Sequence, residues 1–166
     1  MRSSFFKKPG NEGFGLIETL IGAAIISIIL FSLSQIAQFA LKTVDGANLK
    51  LRSAYLAEEG VEAVRVIRDT GWTEKISSLN LNKDYYPKFS SGTWTLDAIP
   101  QPLIDGTFDR RVVFSSVHRG AGDDIVPSGG VLDPNAKKVK VSVSWSNRGR
   151  MASTIISTYI TNLFSN

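Results

Sequence analysis

No charged residue occurs between Thr19 and Leu41, a run of 23 residues, and from Phe14 to Phe31 the only ionisable side chain is Glu18. As a helix rising ~1.5 Å per residue, that run reaches about 34 Å, enough for a bilayer core of ~30 Å. Ser27, Ser32, Ser34, Gln35 and Gln38 interrupt it, so its second half is only moderately apolar. Gly15, Gly22, Ala23, Ala24 and Ser27 are small enough to let another helix approach closely. After Lys42 the pattern changes without a break. Val44, Ala47, Leu51, Ala54, Val61 and Val64 recur at helical spacing, while Lys50, Arg52, Glu58, Glu62, Arg65 and Arg68 supply the polar surface. The helix is therefore expected to continue over 42–69 as an amphipathic element. Asp45-Gly46 and Gly60 are its weak points, and Asp69-Thr70-Gly71 signals its end, with Arg65 and Arg68 in the last turn where cations suit the dipole.

Downstream the period shortens to two. Residues 70–92 read as a connecting loop, with a short helical turn near 72–79. Four strands are expected after it: Thr93–Asp97; Arg110–His118, preceded by Phe108; Lys138–Trp145; and Ser153–Phe164. The third is the clearest, with Val139, Val141, Val143 and Trp145 on one face against Lys140, Ser142 and Ser144 on the other. In the fourth, Ile155, Ser157, Tyr159, Thr161 and Leu163 alternate with Ile156, Ile160 and Asn162. Turns are marked by Ser90-Ser-Gly92, Asp105-Gly106, the stretch 120–130, Asp133-Pro-Asn135 and Asn147-Arg-Gly149, the last joining strands three and four as a hairpin. A helix laid across an antiparallel sheet of about four strands is an α+β fold.

Charge changes the reading of the N-terminus. Net charge is +4, of which Arg2, Lys7, Lys8 and Glu12 together supply +2, so the rest of the chain is only mildly basic and makes a poor case for nucleic-acid binding. The basic head has the character of the n-region of an export signal, but its glycine, Gly13, comes before the apolar run, and no A-x-A-like site follows that run. A carboxylate such as Glu18 close to the start of a membrane-length helix costs a few kcal/mol unless it finds a partner. The chain contains no cysteine, which excludes disulfide staples, thiolate zinc sites and thiol nucleophiles and leaves the compartment open.

Gly13-Phe14-Gly15-Leu16-Ile17-Glu18, followed by that apolar helix, resembles the N-terminal signature of type IV pilins and of the pseudopilins of type II secretion systems. The resemblance covers roughly the first 30 residues. It implies a leader at 1–13, removed by a prepilin peptidase that cuts between Gly13 and Phe14 and methylates the new amino group of Phe14. It also implies that Glu18 pairs with the N-terminal amine of a neighbouring subunit during assembly. The expected organisation is then a membrane and assembly half of the helix at 14–41, an amphipathic half at 42–69 and a globular head at 70–166. Departures are Gly15 where threonine is common and Thr19 where leucine or valine is common. No proline lies between Pro9 and Pro87, so the kink many major pilins carry is absent, and Gln35 takes that place. The run from Tyr55 to Arg68 further resembles minor, PilV-like pilins. Partners implied are the peptidase, other pilin or pseudopilin subunits and the membrane. The implied location is a single pass in the cytoplasmic membrane with the head outside the cytoplasm, then a pilus or pseudopilus. Chemistry favours an intermolecular pair at Glu18. A Phe14 amine would meet it only loosely within one helix, whereas staggered helices could neutralise both charges in apolar surroundings.

Other chemistry is sparse. Glu58 and Glu59 are adjacent, about 100° apart on a helix, and do not make a catalytic pair. His118 is the only histidine and has no second nitrogen or thiolate ligand near it in sequence. Asp123-Asp124 lacks the D-x-[DN]-x-[DN]-G spacing of a calcium loop, and no helix follows Gly120-Ala-Gly122 to hold a phosphate. Lys137, Lys138 and Lys140 beside Trp145 would be the patch for DNA or another surface ligand, but valine alternation places Trp145 in a core, and lysines suit a strand edge. No nucleophile–base–acid set is visible, so neither an enzyme nor a cofactor or metal site is expected. The expectation is a structural subunit, and the alternative is a membrane-anchored binding or enzymatic domain whose helix is only an anchor.

Overall fold

The structure, a computed structural model, describes residues 15–163; Gly13, Phe14 and Phe164 lie outside them. The elements are α1 (Leu16–Asp69), a π-helical turn (Thr73–Ser77), β1 (Asp84–Ser90), β2 (Thr93–Asp97), β3 (Phe108–Arg119), β4 (Ile125–Val126), β5 (Val131–Asn147) and β6 (Arg150–Thr161). By compactness the chain falls into two units, residues 1–45 and 46–166.

The second unit is α+β. Its antiparallel sheet runs in the order β2-β1-β3-β5-β6, with β4 paired to β3. The sheet thus has six strands rather than about four. The β5–β6 hairpin forms where expected: Asn147 pairs with Arg150, and Arg148 and Gly149 both take positive φ (53° and 77°), the geometry of a type I′ turn that matches strand twist. Ser91 and Gly92 repeat it between β1 and β2. Inside, Val139, Val141, Val143 and Trp145 of β5 meet Phe108, Val112 and Phe114 of β3, and Ala57, Val61, Val64 and Ile67 of α1 cover them. At about 25 cal/mol per Å² of apolar surface removed from water, this layer dominates the favourable side of folding. The expected short helical turn is present, and it buries Trp72 and Ile76 at the edge of the same core.

Four expectations need correction. First, the stripe on α1 is displaced. Val61 and Val64 are buried and Ala54 half-buried, but Ala47, Val44 and Leu51 are exposed, the last two by 56 and 55%. The buried line is Ser53, Ala57, Gly60, Val64 and Ile67, with Leu49 packed beside it. Close approach explains the choice of small residues: a Cβ on Gly60 would stand 2.8 Å from Val141 Cγ1 and 3.1 Å from Arg110 Cδ. Gly60 is a contact point within a continuous helix, not a bend. Second, residues 84–90 are a strand. Asp84 and Tyr85 pair with Val113 and Val112 of β3, and this ladder ends before Pro87, which has no N–H to offer it. Third, Asp133-Pro-Asn135 lies within β5. Ser116 pairs with Lys137 but Val117 pairs with Asp133, so Pro134, Asn135 and Ala136 form a bulge against β3. The bulge shifts the alternation and turns Val117 inward. Fourth, the stretch 120–130 holds the two-residue strand β4, paired to His118 and Arg119.

The first unit is described from Gly15 onward and is helical from Leu16 to Asp45. Every residue of 16–45 is exposed except Gly22, which is intermediate.

Candidate functional site

A helix that is apolar on all sides, with none of the described residues packed on it, belongs in a nonaqueous surrounding. Leu20, Ile21, Ile25, Ile28, Ile29 and Phe31 point to different sides of α1, yet each is more than half exposed. The segment is long and apolar enough to cross a membrane, and none of its most apolar window is buried. Its hydroxyls are satisfied locally. Ser27 Oγ donates to Ala23 O at 2.8 Å, Ser32 Oγ to Ile28 O at 2.8 Å and Ser34 Oγ to Leu30 O at 3.0 Å. Each bond folds a polar group back onto the helix and lowers the cost of placing it in hydrocarbon.

Glu18 stands in the first turn, where a carboxylate suits the positive end of the dipole. Its N–H and that of Thr19 donate to Gly15 O at 2.9 and 3.2 Å, and Thr19 Oγ1 donates to Leu16 O at 2.8 Å. None of the ion pairs among the described residues includes Glu18. Its carboxylate is thus open to a partner from outside this stretch of chain. Gly13 and Phe14, the other two residues of the proposed processing and pairing site, fall outside the described residues.

In the second unit the charged groups mostly hold the fold. Glu58 and Glu59 diverge. Arg110 Nη1 donates to Glu59 Oε2 at 2.7 Å and to Leu56 O at 3.1 Å, and its guanidinium lies 5.4 Å from the Trp94 ring centre. Arg110 is only 8% exposed, so it ties α1 to the sheet from within. Alternation puts Arg110 on the face of Phe108, Val112 and Phe114, but its partners on α1, 51 and 54 residues away, have no local signal. Arg111 binds Asp109 and Asp84 across β3 and β1. His118 lies beside Ser116, Lys138 and Tyr159 around a shallow cavity of about 360 Å³. Lys138 and Lys140 are exposed on the outer face, Lys137 is nearly buried, and Trp145 is on the inner face, so the three lysines and the indole form no common patch. No three His, Asp or Glu side chains among the described residues are placed to hold a metal.

Asp123 and Asp133 both turn to Arg119. Arg119 Nε donates to Asp133 Oδ2 at 2.6 Å, Nη1 donates to Asp123 O at 2.8 Å, and Asn135 N donates to Asp133 Oδ1 at 2.9 Å. The hydrogen bond from Arg119 is the main reason the Asp133 carboxyl is held below the usual carboxylate range; partial burial opposes it, and the Asn135 N–H adds to it. A folded value below the unfolded value of about 3.9 means that the pair stabilises the fold above that pH. This stabilisation is lost as pH falls through the folded value. Asp133→Asn is expected to make amide exchange in 117–119 and 131–135 a few-fold faster at pH 7 and to remove the acid dependence of that exchange below about pH 4. Unchanged exchange in the variant would contradict the assignment.

Compared with models of protein families, with curated proteins and with solved structures, the chain gave no match.

Proposed function

We propose that the chain is a structural subunit, of the minor kind, of a type IV pilus or a related pseudopilus, made as a precursor held in the cytoplasmic membrane with its head outside the cytoplasm. One observation supports the reading above others. The sequence motif Gly13-Phe14-Gly15-Leu16-Ile17-Glu18 is followed from Leu16 by a helix whose first part is apolar all round with none of the described residues packed on it, and whose residues from Ser53 on cover an antiparallel sheet. An anchor alone has no use for a glutamate placed in the first turn of its apolar segment, where it costs energy without a partner. A subunit that leaves the bilayer to join others does have such a use. In this reading a prepilin peptidase removes residues 1–13 and methylates Phe14, and the Phe14 amine of one subunit meets Glu18 of another. Charge pairing of this kind sets register and recruitment more than bulk affinity. The apolar helices, through Gly15, Gly22, Ala23, Ala24 and Ser27, then supply the close packing.

Mass spectrometry of the N-terminus from native cells tests the processing step. The expected mature protein begins at Phe14 with a methylated amine. A protein beginning at Met1, or beginning beyond residue 35, would remove the basis of this proposal.

A further inference from the structure

The two open edges of the sheet are built differently. β2 is five residues long and ends in Asp97. β6 is twelve residues long and carries no charge and no proline from Met151 to Thr161, and its pairing with β5 runs from Ala136–Thr161 to Asn147–Arg150 without a register shift. Its far side has no strand partner among the described residues. Natural sheets block such edges with short strands, lysine, proline or bulges, because a row of free N–H and C=O groups recruits another strand. None of these devices is present on β6. Beside the edge lies a groove of about 330 Å³, walled by Ile156, Ser157 and Thr158 of β6 and by Glu58, Val61, Glu62 and Arg65 of α1. On the sheet's outer face, Met151, Ile155 and Tyr159 of β6 are 73, 57 and 46% exposed.

We propose that the open edge of β6, together with this groove, receives one extended strand from a second protein, and that the strand carries a basic side chain on its inward face. The backbone of the incoming strand would pair with β6, and its side chains would alternate between two environments. Those facing outward meet Met151, Ile155 and Tyr159 and are best apolar. Those facing inward sit over Val61 and Ile156, beside the carboxylates of Glu58 and Glu62. Arg65 already neutralises Glu62 at 2.5 Å, whereas no ion pair or hydrogen bond among the described residues engages Glu58. The groove thus presents one uncompensated negative charge. A second copy of β6 does not match it: paired antiparallel along its whole length, that strand sets its one cation, Arg150, opposite Thr161, four residues (about 13 Å) beyond Ser157 of the groove. The occupant is therefore an extended segment of another protein with apolar residues at alternate positions and a lysine or arginine between them. The inference does not depend on the filament reading, because it concerns only the unit 46–166.

The test uses the full chain in detergent micelles and two synthetic peptides, Thr-Val-Thr-Val-Lys-Val-Thr-Val-Thr and the same sequence with Glu in place of Lys. Fluorescence anisotropy measures binding, and amide exchange locates it. The lysine peptide is expected to bind about fivefold tighter than the glutamate peptide, a ratio typical of an exposed charge contact. Glu58→Lys, an exposed helix position, is expected to reverse that order while the fold persists. Exchange should slow in 151–161 of β6 when peptide is bound. Failure of both peptides to bind, equal affinity for the two, no reversal in the variant, or protection that falls elsewhere in the sheet would each overturn the proposal.

Discussion

Trp145→Ala is expected to destabilise the sheet-bearing unit by about 3 kcal/mol, and Phe114→Ala by about 3–5 kcal/mol. Both side chains lie on the inner face, 5 and 0% exposed. Phe114 meets Tyr85 edge-on with ring centres 5.9 Å apart, and Trp145 lies tilted against Phe108 at 6.0 Å. Such pairs contribute about 0.5–1.5 kcal/mol beyond the area they bury. The two differ in one respect that decides their order. Trp145 Nε1 is buried with no hydrogen-bond partner among the described residues, a liability of about 1–3 kcal/mol that truncation removes along with the ring. Trp145→Phe, which keeps a ring and loses the N–H, is accordingly expected to cost less than half as much as Trp145→Ala. Lys140→Ala, on the outer face of the same strand, should fall within about 0.5 kcal/mol of the parent. Denaturant unfolding of the full chain in micelles measures all four. If Trp145→Ala and Lys140→Ala gave the same midpoint, the two faces of β5 would have been assigned the wrong way round.

That inner face was legible in the sequence because four large apolar residues alternate with lysine and serine over eight positions, a pattern few other structures satisfy. The face of α1 was legible only at Val61 and Val64. Its contact line is made by Ser53, Ala57 and Gly60, residues selected for smallness where helix and sheet approach most closely, so hydrophobicity does not mark them. Val44 and Leu51 are the larger apolar side chains nearby, and both point away. Proline misled once, and a second proline lay in a stretch read as loop. Asp133-Pro-Asn135 read as a turn and Pro87 fell within the expected loop of 70–92, but Pro87 lies past the end of the β1–β3 ladder and Pro134 in a bulge, places where a strand tolerates a missing N–H. For Arg110, alternation gives the face but not the partner. The residue holds an inward register position because Glu59 and Leu56 O meet its guanidinium there, and that pairing across 51 residues of chain has no local signal. For the candidate site, the membrane-length segment could be read from length and absence of charge alone. The role given to Glu18, by contrast, depends on a short motif and on a partner outside the chain.

If the chain is the filament subunit proposed above, Glu18→Ala is expected to abolish entry into filaments while leaving the protein in the membrane. Insertion depends on the apolar run, and removing a carboxylate from its first turn makes that run more favourable by a few kcal/mol. Peptidase recognition is assigned to Gly13 and Phe14, so the mature N-terminus should still form in the variant. What changes is the step at which a subunit leaves lipid for a stack of helices. In the proposed filament the new amine of Phe14 would be a cation in apolar surroundings, and removing one partner of such a pair typically costs 3–5 kcal/mol, about a hundredfold or more in equilibrium. Repeated at each addition, a loss of that size stops growth rather than slowing it. Glu18→Gln separates charge from shape: it keeps the length and polarity of the side chain and should fail nearly as completely. The measurement is fractionation of cells into membrane and sheared filament, with Gly13→Leu as the control blocked before cleavage. Wild-type amounts of either Glu18 variant in the filament fraction would refute the pairing mechanism, while the α+β head, whose core lies in residues 53–160, would be untouched by that result.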